Sequence, residues 1–263
     1  MLTRERAARA AVGPGVPRRA LLLGASSCLL TGSALAWATG AGPLHTKTPE
    51  GRARMDPDAI SQAAPGGPLM ALTFDDGPDP RYTGDILDAL GAQEVRATFF
   101  VIGRNAEKYP KLVSRIVAEG HELANHTQDH IWLDTQPRAV VQQQISQAQA
   151  TIDGYASAAY LRPPRGWTSR AVAEQAAASR LRSIFWSDSF DRYLGLPVET
   201  AVATVAGNTR PGSIILCHDG GHLDGPNPQQ FDRTSTVAAV PGLIAAVRAQ
   251  GLRPVTLSEL LRG

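Results

Sequence analysis

Two aspartates stand side by side in Thr73-Phe74-Asp75-Asp76-Gly77-Pro78, where an apolar run stops and Gly-Pro forces a turn. One carboxylate can bind a metal ion while its neighbour takes a proton from water, or the pair is an ordinary solvated turn. His126-Thr127-Gln128-Asp129-His130 sets two imidazoles four residues apart. From a single helical turn both can face one metal ion; the alternative is two surface histidines. With Asp76 as a third donor the set is two histidines and a carboxylate with a position left open, the pattern of a catalytic zinc site. Arg162-Pro163-Pro164-Arg165-Gly166 is either a rigid turn or a loop that offers Arg162 to a carboxylate. Phe185-Trp186-Ser187-Asp188-Ser189-Phe190-Asp191 and Leu216-Cys217-His218-Asp219-Gly220 each follow an apolar run with polar groups. A carboxylate bonded to His218 would raise its pKa and hold a proton ready for donation; otherwise His218 is a satisfied, partly buried histidine.

Two other chemistries are weaker. His121-Glu122-Leu123-Ala124-Asn125-His126 begins like the metalloprotease helix, but Asn125 stands where the second histidine belongs. A glycosidase built on Asp75 and Asp76 needs facing carboxylates, whereas neighbours on a strand point to opposite faces.

Short apolar runs at 69–74, 96–101, 122–125, 159–162, 183–186, 213–217 and 253–256 predict strands. Amphipathic stretches at 106–119, 138–155, 169–178 and 236–250 predict helices between them. In the last, Val237, Val240, Leu243, Ile244 and Val247 form a stripe at three- and four-residue spacing. Repeated strand–helix units predict a mainly parallel α/β fold, open or closed into a barrel, with reactive residues just past the carboxyl ends of strands.

The 263 residues suffice for one sizeable domain and an export segment. Of six acidic and basic groups in residues 1–36 five are arginines, so the remainder is slightly acidic and nucleic acid is not the expected partner. Arg18 and Arg19 precede an apolar run of about 15 residues, short of the ~20 that span a membrane, and Ala34-Leu35-Ala36 offers a cleavage pattern. Residues 1–36 therefore read as an export signal, by the twin-arginine or the general secretory route. Residues 37–67, rich in Gly, Pro and Ala, read as a flexible linker. Cys28 would leave with the signal, and Cys217, in an apolar run, is expected to be buried and unpaired.

Taken in order, the five patterns resemble the polysaccharide deacetylases with a NodB homology domain, carbohydrate esterase family four, over residues 68–263. The resemblance implies a single-domain distorted (β/α) barrel, usually of seven strands. It implies a divalent metal, usually zinc with cobalt as an option, on Asp76, His126 and His130. Asp75 would be the general base, held charged by Arg162, and His218 the general acid, paired with Asp191 or, failing that, Asp188. The backbone N–H near Arg165 would steady the oxyanion, with Trp186 and Leu216 on the substrate side. The implied reaction removes N-acetyl groups from N-acetylglucosamine-containing glycans, peptidoglycan or chitooligosaccharides. The alternatives are an O-acetyl esterase on acetylxylan and an inactive glycan-binding module. A secreted or wall-associated monomer without a membrane span is expected. Arg165 stands where the family usually has an aromatic residue, Arg192 where a tryptophan is common, and 222–231 reads as an inserted loop.

Overall fold

The strand Leu69–Asp75 is the centre around which the fold is laid, because Met70 through Asp75 are all buried. A run buried on both faces belongs in the middle of a parallel sheet covered by helices. The structure is a computed structural model that describes residues 45–221 and 231–263. The expected export signal at 1–36, the first part of the linker, and nearly all of the loop at 222–231 lie outside the described residues.

In chain order, a short strand β1 (His45–Thr46) and helix α1 (Pro49–Met55) come first. Then follow β2 (Leu69–Asp75), α2 (Thr83–Ala92), β3 (Thr98–Val101), α3 (Gly103–Lys108), α4 (Pro110–Ala118) and β4 (Glu122–Asn125). The middle of the chain forms α5 (Arg138–Asp153), β5 (Tyr160–Leu161), β6 (Thr168–Ser169), α6 (Arg170–Ala178), β7 (Arg182–Ser183) and β8 (Asp188–Ser189). It closes with α7 (Val198–Asn208), β9 (Ile214–His218), α8 (Thr234–Ala249), β10 (Arg253–Val255) and α9 (Leu257–Arg262).

Seven strands pair in parallel in the order β7-β5-β4-β3-β2-β9-β8, and β10 pairs with the start of β2. They curl into a distorted (β/α) barrel. Alternation sorts the side chains. Met70, Leu72 and Phe74 pack outward with Phe99 and Leu123 under the helices, Phe74 stacking on Phe99 at 5.1 Å. Ala71, Phe100, Ala124 and Ile214 face the interior. The small residues at 71 and 124 leave room there for a buried arginine, described below.

Three elements differ from the sequence expectation. The helix expected over 106–119 is two helices, because Pro110 supplies no N–H and keeps Tyr109 out of the helical region, at φ −126° and ψ 56°. The strand expected over 183–186 forms a ladder only at Arg182–Ser183, with a single bridge at Ile184; the chain then crosses the barrel's seam, with Phe185 N–H bonding Ile60 and Ser187 N–H bonding Ile214. Part of the stretch expected as a linker pairs with the sheet strands and loops. Thr46 pairs with Thr168, and Ile60 and Gln62 bridge to Ile184 and Ser213, so residues 45–63 form a strap across that seam. Among the described residues, no helix is long and apolar enough to cross a membrane.

Candidate active site

Strand register alone brings the reactive residues together. Asp75 lies directly beside His218 in the β2–β9 pair, and Asn125 beside Leu161 in β4–β5, so Asp75, His126, Arg162 and His218 emerge at one end of the sheet. They converge on a cavity of about 270 Å³ that Arg165, Trp186 and Leu216 also line. Every sequence-predicted site residue except Arg162, Asp191 and its alternative Asp188 lines this cavity; Arg162 and Asp191 stand behind it, against Asp75 and His218. A larger depression of about 570 Å³, lined by Arg115, Glu119 and His121, lies at the opposite strand ends; among the described residues, no three metal donors converge there.

His126 Nδ1 donates to the carbonyl of Arg162 at 2.7 Å, which leaves its Nε2 lone pair for the site. Asp76 Oδ1 lies 3.2 Å from that Nε2 and 3.1 Å from His130 Nε2. This oxygen is buried and accepts no well-aligned hydrogen bond. Burial opposes ionisation of Asp76, yet the imidazoles of His130, His126 and His218 hold it well below the usual carboxylate range. A buried carboxylate oxygen wedged between two imidazole nitrogens, all three donors within 4.8 Å, fits a divalent cation.

The backbone route differs from the expected helical turn. Residues 126–130 form a loop in which Thr127 and His130 take left-handed φ of 68° and 54°. The Thr127 hydroxyl accepts the N–H of His130 at 3.2 Å, and Asn125 Oδ1 accepts that of Thr127 at 2.8 Å. Asp76 also leaves the strand conformation, at φ 74°. That turn swings its carboxylate to the side of Asp75, so His126 Nε2 lies near both, 3.6 Å from Asp75 Oδ2. The expectation of opposite faces is corrected accordingly.

Arg162 is fully buried and entirely committed. Its NH1 donates to Asp75 Oδ1 at 2.6 Å and to the Thr73 hydroxyl at 3.0 Å, while Nε and NH2 donate to the carbonyls of Ile184 and Phe185. The guanidinium also lies 4.0 Å over the Phe100 ring. Burial lowers its pKa and Asp75 opposes the shift. Asp75 thus has one oxygen fixed and the other toward the cavity.

His218 Nδ1 lies 2.8 Å from Asp191 Oδ2, off the line of the N–H. Burial alone would lower His218, but Asp191 raises it above its ordinary value. Asp188, the alternative partner, is occupied elsewhere, accepting from Ser189 N–H and Asn208. Cys217 is buried and free, its thiol pushed up by burial, and takes no part.

Sequence reasoning missed Arg233 and Phe231, which line the cavity. Arg233 Nε donates to the carbonyl of Gly220 and NH1 to Asp191 Oδ2, both at 2.9 Å, so His218 and Arg233 share one carboxylate. Neither residue sits in a local pattern; their role arises where α8 begins beside β9. Asn105 was also missed, and it donates to the carbonyl of Asp76 at 2.9 Å. So was Arg52 of the strap. Its Nε and NH2 donate to the carbonyl of Gly166 at 3.1 and 2.9 Å, and its guanidinium lies 4.0 Å over Phe185 and 5.1 Å over Trp186.

Residues 62–184 match the polysaccharide deacetylase family. The peptidoglycan-N-acetylglucosamine deacetylase of Bacillus cereus is 36% identical over 197 residues, 74% of this chain and 88% of the relative. The chitooligosaccharide deacetylase of Sinorhizobium fredii is 39% identical over 196 residues, 73% of this chain and 91% of the relative. Among solved structures, a peptidoglycan N-acetylglucosamine deacetylase in complex with 4-naphthalen-1-yl-N-oxidanyl-benzamide superposes with a TM-score of 0.69. It is 33% identical, with 78% of this chain and 93% of that one covered. Sequence and fold agree over nearly the full length of these relatives, and the chain belongs to the polysaccharide deacetylase family.

Proposed function

We propose that the protein hydrolyses the N-acetyl group of N-acetylglucosamine units in a glycan and releases acetate. The observation that carries this reading is one cavity holding a two-histidine, one-carboxylate donor set, a carboxylate pinned by a buried arginine, and a carboxylate-paired histidine. Asp76, His126 and His130 would hold the metal, with zinc favoured by the nitrogen-rich donors and cobalt an option. When bound, such an ion polarises a carbonyl and makes water a stronger acid.

The protein's own groups account for the proton movements. Asp75 Oδ2 faces the cavity while Oδ1 stays on Arg162, so the carboxylate is oriented to take a proton from the attacking water. The water oxygen bonds to the acetyl carbon, and the N–H near Arg165 is the candidate donor to the oxygen that gains charge. As the C–N bond breaks, His218 Nε2, held by Asp191 through Nδ1, delivers a proton to the departing nitrogen. Acetate and a free amine result. The leader-like pattern of residues 1–36 supports action on glycan outside the cytoplasm.

The test is acetate release by the chain lacking residues 1–36. Chitopentaose, peptidoglycan and acetylxylan would be compared, each with chelator and with zinc or cobalt restored. Chelator-sensitive release from the first two supports the reading. Release from acetylxylan alone would move it to ester hydrolysis, and release from none would refute it.

A further inference from the structure

Trp132 is 48% exposed, although it lies only two residues beyond the metal donor His130. It is tied to the cavity rim. The guanidinium of Arg165 lies 4.5 Å from the centre of its ring, and the same guanidinium donates to the carbonyl of His130 at 3.1 Å. Trp167 stands 6.3 Å from Trp132, centre to centre, with the rings tilted by 58°. The strap adds a second cation. Pairing of Thr46 with Thr168 brings Lys47 beside Trp167, its Nζ 5.4 Å from the ring centre. The row therefore runs outward from the cavity through Arg165, Trp132 and Trp167 to Lys47, with Arg165 and Lys47 both exposed.

We propose that this row is a subsite for the sugar adjoining the one deacetylated, and that it takes a neighbour carrying a carboxylate. The inference rests on the deacetylase reading above. Indole faces suit the apolar C–H face of a pyranose ring, while a cation at each end of the row suits an anion on that sugar. A neutral chitin chain uses the rings alone. A peptide-free peptidoglycan strand, in which N-acetylglucosamine alternates with a sugar whose carboxylate is then free, uses the rings and the cations.

The experiment measures kcat and KM of the metal-loaded enzyme on chitopentaose and on a peptide-free peptidoglycan strand of similar length. Wild type is compared with Trp132→Ala, Trp132→Phe and Lys47→Gln. Trp132→Ala is expected to raise KM about tenfold on both substrates with kcat falling less than twofold, and Trp132→Phe to recover most of the loss. Lys47→Gln is expected to raise KM for the strand several-fold more than for chitopentaose, a difference that 0.5 M salt shrinks. An active wild type whose KM is unmoved by Trp132→Ala overturns the subsite. Equal effects of Lys47→Gln on the two substrates overturn the anionic neighbour. A wild type inactive on both substrates instead removes the deacetylase reading itself.

Discussion

A general base needs one oxygen held and the other free, and Asp75 meets that requirement through a single partner. Arg162 spends its donors on Asp75, Thr73 and two backbone carbonyls, so the pair behaves as one unit. Removing either member would leave a buried charge uncompensated, at a cost of about 3–5 kcal/mol. Asp75→Asn is the milder probe, since the amide can still accept from Arg162. It should keep the metal, measured by elemental analysis, and lose turnover by about 10²-fold or more. His126→Ala should lose both metal and turnover. An Asp75→Asn enzyme with near-normal turnover would remove Asp75 as the base. These residues were legible in the sequence because each sits in a compact pattern after an apolar run. Arg233 and Arg52 were not, because their partners, Asp191 and Gly166, lie 42 and 114 residues away.

At the level of elements, the strands were legible and the strap was not. Apolar runs report burial directly, whereas residues 45–63 bury little hydrophobic surface and bind through backbone pairing and one arginine. Composition rich in Gly, Pro and Ala conceals such an element. Arg52 nonetheless touches two walls of the site, the loop that carries Arg165 and the ring of Trp186. Burial lowers its pKa to about 10, with Arg162 adding to the shift, and it stays charged at neutral pH. Arg52→Ala should leave the carbonyl of Gly166 without its donors and destabilise the protein by about 2 kcal/mol. It should also lower kcat/KM on any substrate that rests against Trp186. Urea unfolding beside steady-state kinetics checks both, and unchanged midpoints would mean that the strap is only a cover.

Across the whole molecule, acid stability should depend on a histidine far from the chemistry. His121 is buried at the opposite strand ends, where its Nδ1 accepts the N–H of Ala97 at 3.1 Å and its ring meets Phe99 edge-on. Burial lowers its pKa from 6.5 to about 4. The unfolded chain therefore takes up this proton first, so the contribution is complete above pH 6.5 and is lost as pH falls toward 4. Its size is up to about 3 kcal/mol. His121→Asn keeps an acceptor for Ala97 without a titrating ring, and should flatten the decline in melting temperature over that range. An unaltered decline would place the acid sensitivity elsewhere. The site itself carries a different liability. Asp76, Thr127, His130 and Arg165 all hold left-handed backbone, which costs non-glycine residues of order 1 kcal/mol each. An engineer choosing positions by backbone conformation alone would put glycine at Thr127. That exchange would relax the chain and also delete the hydroxyl that receives the N–H of His130. In this enzyme, a search for thermostability and a search for activity would thus disagree first at the loop between the two histidines.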